Sequence, residues 1–499
     1  MTGRIRARAG ASMLLAAALA APVGAQLPDE CGPPPSGTTA AEQLHRAMRA
    51  MGVPDDGSVL RFTSEGRTVQ NFQSDRTYPP FFSAMQTAET WYDPATRAER
   101  ASIAWLYPRG GAPARVSITD ARSVWLEQQD QLREVPAFDP FSRPQREMNP
   151  WSVVGDWVAA ADARVAGTCR YRDDDRLVLE RRVHGRPERL FLDRESGFPV
   201  KLDRTVPHET WGQLHEEVLW STWIEAGPSS FVPAAAFRIR DGEVDMERTI
   251  GEIELMPASD AAIPALPAEA EGVGEASILG DPEAMRPDTV GVGAGAFLLA
   301  HRMYNEALVG AGDTVWVMDA TLNEARARED SAWVARLFPG ARHVAVVVTD
   351  LAWPHIGGVR FWVARGATIY SHRQSEAFLR RLVERRWTLE PDALERARRA
   401  ADVPFRFVAV GDGVDVAGGR LALRHIGGLS SEGALMALDR RSGFLWAGDW
   451  VQMTDRPTMY AAEVVRAVER EGLAPARVGA EHIPITDWRT IADLNPGSR

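Results

Sequence analysis

The stretch Val348-Thr349-Asp350-Leu351-Ala352-Trp353-Pro354-His355-Ile356-Gly357-Gly358 decides the reading of this chain. It follows an apolar run, His343 to Val348, that reads as a buried strand. A threonine stands at the strand end, a short polar segment follows, and a histidine precedes Ile356 and a glycine pair. Far downstream, Gly448-Asp449 ends a strand-like arm, and His482 closes Gly479-Ala480-Glu481-His482.

The stretch resembles the metal-binding turn of the metallo-β-lactamase fold. In that family the turn reads T-H-x-H-x-D-H-x-G-G, and its three His and one Asp grip one or two zinc ions. Thr349, His355, Gly357 and Gly358 keep their places here, while Asp350, Ala352 and Pro354 stand where the first His, the second His and the Asp would be. The resemblance assigns the first metal two His from the turn and one from a later glycine-rich loop. Aligning Ser431-Glu432-Gly433 with that loop places Ser430 at the third His. A methyl group cannot coordinate, and a serine hydroxyl is a poor zinc ligand, so the first position is lost. The second metal would take the turn's final His, a bridging Asp and a late His, which leaves His355, Asp449 and His482, with Asp350 or Glu432 as a fourth ligand. Two readings stand. Either these residues hold one zinc that acidifies a bound water, or they hydrogen-bond to one another as relics of a site. His372 and His425 lie near the same rim and read as structural.

Working outward, Thr314 to Met318 and Tyr304 to Val309 resemble the opening hairpin of that fold, with Asp319 at the end of the second arm. Asp330 to Leu337 reads as a helix stopped by Pro339-Gly340. Gly366 to His372, Phe405 to Val410, Arg420 to Ile426, Ala434 to Leu438 and Phe444 to Ala447 follow as strands, and Ser375 to Val383 and Thr458 to Glu471 as helices. Strands and helices alternating in two halves fit an αβ/βα sandwich. Gly291-x-Gly293-x-x-Ala296 only superficially echoes a dinucleotide fingerprint, because no strand of useful length precedes it. G-x-S-x-G, H-E-x-x-H and P-loop motifs do not occur.

The N-terminal half reads differently. Thr39-x-x-Glu42 is a capping box, Leu44, Met48 and Met51 repeat at helical spacing, and Gly52 closes the helix. About ten short strands follow, from Val59 to Arg240, with turn signals such as Asp93-Pro94 and Gly110-Gly111, and an irregular or helical stretch from Phe138 to Ala163. The pattern resembles the periplasmic lipoprotein-carrier fold, in which an unclosed barrel cradles acyl chains around a helix. Eight of the 16 tryptophans lie between Trp91 and Trp223. A cavity lined by Trp91, Trp105 or Trp220 would mark a binding module, against the simpler reading that they fill a core. From Pro257 to Pro287 the chain turns Pro-, Ala-, Glu- and Gly-rich, a linker composition.

The chain opens with Arg4, Arg6 and Arg8, an apolar run from Met13 to Ala21 and small residues Val23-Gly24-Ala25, the pattern of a secretory signal peptide. Removing residues 1–25 takes away those three arginines and no acid, so the formal charge of −11 becomes −14. Such an acidic chain without a basic stripe argues against nucleic acid as a partner. Cys31 and Cys169, the two cysteines, either form one disulfide in an oxidising compartment or remain thiols.

The expectation is an α+β protein: signal peptide 1–25, a β-rich domain with a curved antiparallel sheet at 26–256, a linker at 257–288, and a metallo-β-lactamase-like sandwich at 289–499. It would be periplasmic or secreted, without a transmembrane segment, and non-catalytic or weakly catalytic. Its ligand would be a small or lipidic molecule, and its only cofactor one zinc. The alternative is a mononuclear zinc hydrolase acting on an ester, amide or thioester, and a scaffolding role in the envelope is the third reading.

Overall fold

The computed structural model describes residues 31–495 except 55, 70–82, 108–109, 121–122, 129–130, 136–142, 228–229, 262, 264–276 and 430. The signal-peptide reading, the strand expected from Val69 to Ser74 beyond its first residue, and Ser430 therefore lie outside the described residues. The chain divides into two compact units. One holds Ser83–Val206 and Leu214–Ala276 with the N-terminal segment up to Val69, and the other holds Ser277–Arg499 together with Pro207–Gln213.

The first unit is built on one thirteen-stranded sheet. From the edge strand Gln131–Val135 it meanders back to Ser58–Val69, which pairs with Glu243–Pro257, and then meanders on to the other edge, Arg164–Tyr171. Successive strands pair antiparallel. The two edge strands are consecutive in sequence, and the segment between them carries the helices Arg143–Glu147 and Pro150–Val158.

The helix Ala40–Ala50 forms where the cap predicts. Thr39 Oγ1 accepts from Glu42 N, Glu42 reaches back to Thr39 N, and Gly52 leaves the helix at φ +66°. Its Leu44 and Ala47, with Met51 just beyond, join Trp151, Val154 and Trp157 against Leu60, Leu179, Leu190, Val218 and Trp220 of the sheet. Each such large side chain taken from water is worth roughly 1.5–3 kcal/mol. This apolar contact between helices and one sheet face is the core of the unit.

Thirteen strands replace the ten expected. Arg164–Tyr171 has few large apolar residues and Glu243–Pro257 carries charge on both faces, which hides their period, and Gly110-Gly111 opens the strand Gly110–Thr119 instead of forming a turn. The tryptophans do not share a lining. Trp220 is in the helix-covered core, Trp105 packs with Ala84, Ala88 and Ile103, and Trp91 lies under the guanidinium groups of Arg61 and Arg100 at 6.0 and 5.1 Å.

Lys201 is the one lysine of the 499-residue chain and is fully buried. Its ammonium bonds Asp203 at 3.0 Å and Glu217 at 2.8 Å, and it lies 4.5 and 4.4 Å from the ring centres of Tyr171 and Phe191. Two carboxylates and two ring faces meet the charge that burial strips of water.

The second unit has two sheets. The seven-stranded sheet runs in sequence order from Asp288–Gly293 to Arg406–Val410, antiparallel through Thr314–Met318 and parallel beyond it. The six-stranded sheet runs from Gly413–Val416 to Ile483–Asp487. Residues alternate between faces. Leu435 and Ala437 face Trp316, Met318 and Val347 in the core between the sheets, whereas Met436 and Leu438 join Val464, Val465 and Val468 of the helix Met459–Arg470.

Asp288–Gly293 and Ala296–Ala300 form a hairpin, so the sheet begins one hairpin before the arms Tyr304 to Val309 and Thr314 to Met318. The helix read from Asp330 starts at Glu324, capped by Asn323 Oδ1 on Arg326 N at 3.2 Å. Among the described residues no helix is long and apolar enough to cross a membrane.

The N-terminal segment is tied to the sheet edge twice. Cys31 is joined to Cys169 by a disulfide, and Gly32 and Thr168 exchange backbone hydrogen bonds of 2.9 and 3.1 Å. With a sequence separation of 138 between its ends, this link restricts the unfolded chain over a long loop. A Cys169→Ser variant is expected to lose about 2–5 kcal/mol of stability in urea denaturation, and the reduced native protein the same amount.

Candidate metal centre

The candidate donors sit where strands end. Asp319 follows Thr314–Met318, Asp350 follows His343–Val347, Asp449 follows Phe444–Trp446, and Glu481 and His482 form the turn after Arg477–Ala480. His355 rides on the one-turn helix Trp353–Ile356, with Pro354 in its first turn, where a fixed φ fits and no amide hydrogen is needed. That turn is stitched to the loop after Asp319: Ala320 N bonds His355 O at 3.2 Å, and Gly358 N bonds Ala320 O at 2.8 Å. Gly357 is required there, because a Cβ would lie 1.7 Å from Leu322 O. The motif's glycines therefore persist for backbone packing, with or without its ligands.

His355 is 3% exposed and bonded on both nitrogens. Nδ1 lies 2.8 and 2.9 Å from the two oxygens of Asp350, and Nε2 lies 2.7 Å from Glu481 Oε2. Burial would drive the imidazolium to lose its proton, but the Asp350 and Glu481 carboxylates outweigh it and hold His355 well above its ordinary pKa. Burial raises Glu481, against the pull of His355, and the charges of Asp319 and Asp350 raise it further.

His482 is the outward member, with its side chain 31% exposed and Nε2 2.9 Å from Asp449 Oδ1. Asp449 also accepts from Gln452 Nε2 at 2.9 Å. Burial raises its pKa, but the hydrogen bond from His482 and the charge of His355 bring it below the usual range. Tyr304 lies over both imidazoles, its ring centre 5.2 Å from His355 and 5.1 Å from His482. Asn305 clamps the Glu481–His482 turn from below, with Nδ2 donating to Ala480 O at 3.1 Å and Ile483 O at 2.9 Å.

Asp319 is fully buried, with φ +67°. It accepts from Thr349 N at 2.7 Å and Trp446 Nε1 at 2.7 Å, yet burial and the charge of Asp350 push it up to about 7. It binds the two sheets' strand ends together and does not join the donor group.

Four side chains converge: the donor atoms of His355, Asp449, Glu481 and His482 all lie within 4.8 Å of one another. Three of them were legible in the motif. Glu481 was not, although it directly precedes His482 in the sequence. The expected triangle of mutual bonds differs from the observed one, because His355 pairs with Asp350 and Glu481 and leaves Asp449 to His482. Asp350 is not one of the converging four. It orients the imidazole from behind, as a carboxylate does in a carboxylate–histidine–metal relay. Glu432 is not among the four either. His372 and His425 stack on each other at 4.4 Å and 22°, and burial depresses His372 to about 4.

The donor set fits one divalent ion. Two imidazoles and two carboxylates are a zinc-type shell, and four carboxylates, Asp319, Asp350, Asp449 and Glu481, surround only two imidazoles. The close pairs stand at 2.7 and 2.9 Å, while ligands of one tetrahedral zinc with bonds of about 2.0–2.1 Å stand about 3.3 Å apart. A bound ion would part each pair by a few tenths of an ångström. Among the described residues this is the one such group of donors.

No protein-family model and no curated protein matches the chain. Among solved structures it is similar to a metallo-β-lactamase from Hirschia baltica (16% identity, 42% of this chain and 96% of that chain, TM-score 0.33). It is also similar to the metallo-β-lactamase FIM-1 from Pseudomonas aeruginosa in its mono-zinc form (12%, 42% and 94%, TM-score 0.33). A third similarity is to a LolA superfamily protein from Nitrosomonas europaea (11%, 47% and 97%, TM-score 0.32).

His355→Ala removes the cation between two buried carboxylates and is expected to cost about 3–5 kcal/mol in urea denaturation. His482→Ala, at a part-exposed pair, is expected to cost about 1 kcal/mol or less. Zinc binding must displace the proton that Asp350 and Glu481 hold on His355, so the rise in melting temperature on adding zinc is expected to be larger at pH 8 than at pH 6.

Proposed function

We propose that this chain is an exported, non-catalytic or weakly catalytic protein with a metallo-β-lactamase-like half that binds one divalent ion and a β-rich half that binds a small or lipidic ligand. The observation that carries the reading of the first half is the convergence of His355, Asp449, Glu481 and His482 within 4.8 Å. Four protein donors fill a tetrahedral shell, and closed shells are structural, whereas catalytic zinc keeps a position for water or substrate. Export is supported by the residue pattern of positions 1–25 and is consistent with the Cys31–Cys169 disulfide.

A second reading rests on His482. It is the most exposed of the four, and Asp449, its one partner at hydrogen-bond distance among the described residues, is also its competitor for a metal. If His482 yields its position, His355, Asp449 and Glu481 would remain as three ligands. The ion would then supply an acidified water for hydrolysis of an ester, amide or thioester, with Tyr304 the phenol beside it.

Elemental mass spectrometry of the full chain decides between these readings, together with a chromogenic lactam and ester panel. The first expects about one zinc per chain, loss of it in Glu481→Gln, and hydrolysis within background. Turnover that disappears with Glu481→Gln and His355→Ala establishes the hydrolase. No metal in the wild type, with no zinc-dependent change in melting temperature, overturns both and leaves a hydrogen-bonded relic.

A further inference from the structure

A second group of buried polar atoms lies in the first unit, on the half of the sheet face that carries small residues. Cross-strand register puts Arg248, Gly66, Gln86 and Trp105 in one row, Ser64 and Ala88 in the next, and Phe62 and Thr90 in the one after. Alternation along the strand Ser58–Val69 keeps these rows on one face. The other half of that face is Leu- and Val-rich and packs against the helices, and on the small-residue half Gln145 of the helix Arg143–Glu147 donates to Gln86 Oε1 at 3.0 Å.

Arg248 is 1% exposed. Its Nη1 donates to Gln145 O at 3.3 Å and Gln145 Oε1 at 3.4 Å, and its guanidinium lies 5.9 Å from the ring centre of Phe62. Nε and Nη2 have no hydrogen-bond partner among the described residues. Ser64 Oγ, Gln86 Nε2 and Thr90 Oγ1 are buried in the same condition. A buried guanidinium is ordinarily matched by a carboxylate. Arg146, Arg238, Arg326 and Arg360 follow that rule, with Asp156, Asp245, Asp330 and Asp392 at 2.7, 2.9, 2.9 and 2.6 Å. Arg248 does not. Glu99, the acid that acts on it, is committed to Asn149 Nδ2 at 2.8 Å and Ser152 Oγ at 2.7 Å. Burial accordingly pushes Arg248 down to about 10. A guanidinium with two nitrogens unmatched, two hydroxyls and one amide nitrogen, all buried, form the recognition half of a polar site.

We propose that Arg248 is the anion anchor of a ligand site on this face, taking the carboxylate or phosphate end of an amphiphile whose apolar part lies along Ala84, Ala88, Ala101 and Ile103. With Trp105 these side chains form one buried apolar cluster on the same sheet face as the guanidinium. Ser64 and Thr90 would bond the remaining anion oxygens, and the planar fork of Arg248 suits both end groups. The inference rests on the ligand-binding reading of the β-rich half and is independent of any metal.

The test titrates the full chain by calorimetry with dodecanoate, dodecyl phosphate and dodecanol, which share a chain length and differ in end group. At least one anion is expected to bind about tenfold or more tightly than the alcohol, and the stronger of the two identifies a fatty carboxylate or a phosphate headgroup as the source. Arg248→Gln is expected to erase that advantage while leaving dodecanol binding unchanged. Should Arg248→Gln not fold, Arg248→Lys retains the charge without the fork and is expected to reduce the advantage in part. Equal binding of all three by the wild type, or an anion advantage unchanged in either folded variant, overturns the anchor and leaves the ligand-binding reading intact. No binding of any of the three overturns both.

Discussion

His355 carries a buried carboxylate on each of its nitrogens, and the rest of the second unit's strand-end architecture is arranged about that bridge. Asp350 comes from the end of one sheet and Glu481 from the end of the other, so the imidazole closes the top of the sandwich. A neutral side chain there would leave two acids facing each other in a dry interior, an arrangement that burial makes very costly. Either a proton or a metal ion can answer the same negative charge. The proton on His355 therefore answers the charge of both acids at once, and the bridge ties the strand ends of the two sheets together.

The supporting structure is built backwards from that point. Gly357 lets the short helix press onto the loop at Leu322, Thr349 and Trp446 pin Asp319, and Asn305 fixes the carbonyls on either side of Glu481–His482. These contacts are backbone-directed or fully buried, so they hold the donors in place without any ion. The sandwich core between Trp316, Val347, Leu435 and Trp446 is likewise apolar and independent of any ion.

Much of the fold was legible because its period is simple. The strand before Thr349, the capped helix at Ala40 and the hairpin arms around Asp439 to Gly443 announce themselves through apolar runs and turn residues. What escaped was charged on both faces or small. Glu243–Pro257 carries Asp245, Glu247 and Arg248 within a strand, and Glu324–Leu337 begins with alternating alanine and arginine; the burial of Asp245 and Arg326 goes with ion pairs to Arg238 and Asp330. At the site, His355, Asp449 and His482 stood in known positions of a motif. Glu481 belongs to no motif position, and its one signal was adjacency to His482. A carboxylate beside a late histidine is ordinarily a solvated turn residue, and only the clamp from Asn305 turns it inward.

The enclosure of Lys201 has a chemical corollary. Since the chain has no other lysine, and this one is sealed between Asp203, Glu217 and two rings, the folded surface offers no side-chain amine to acylating reagents, aldehydes or amine-directed crosslinkers. Only the amino terminus remains for such chemistry. Modification at Lys201 can proceed only through openings of the surrounding sheet, so its rate in native buffer is a direct clock for how often that part of the molecule comes apart.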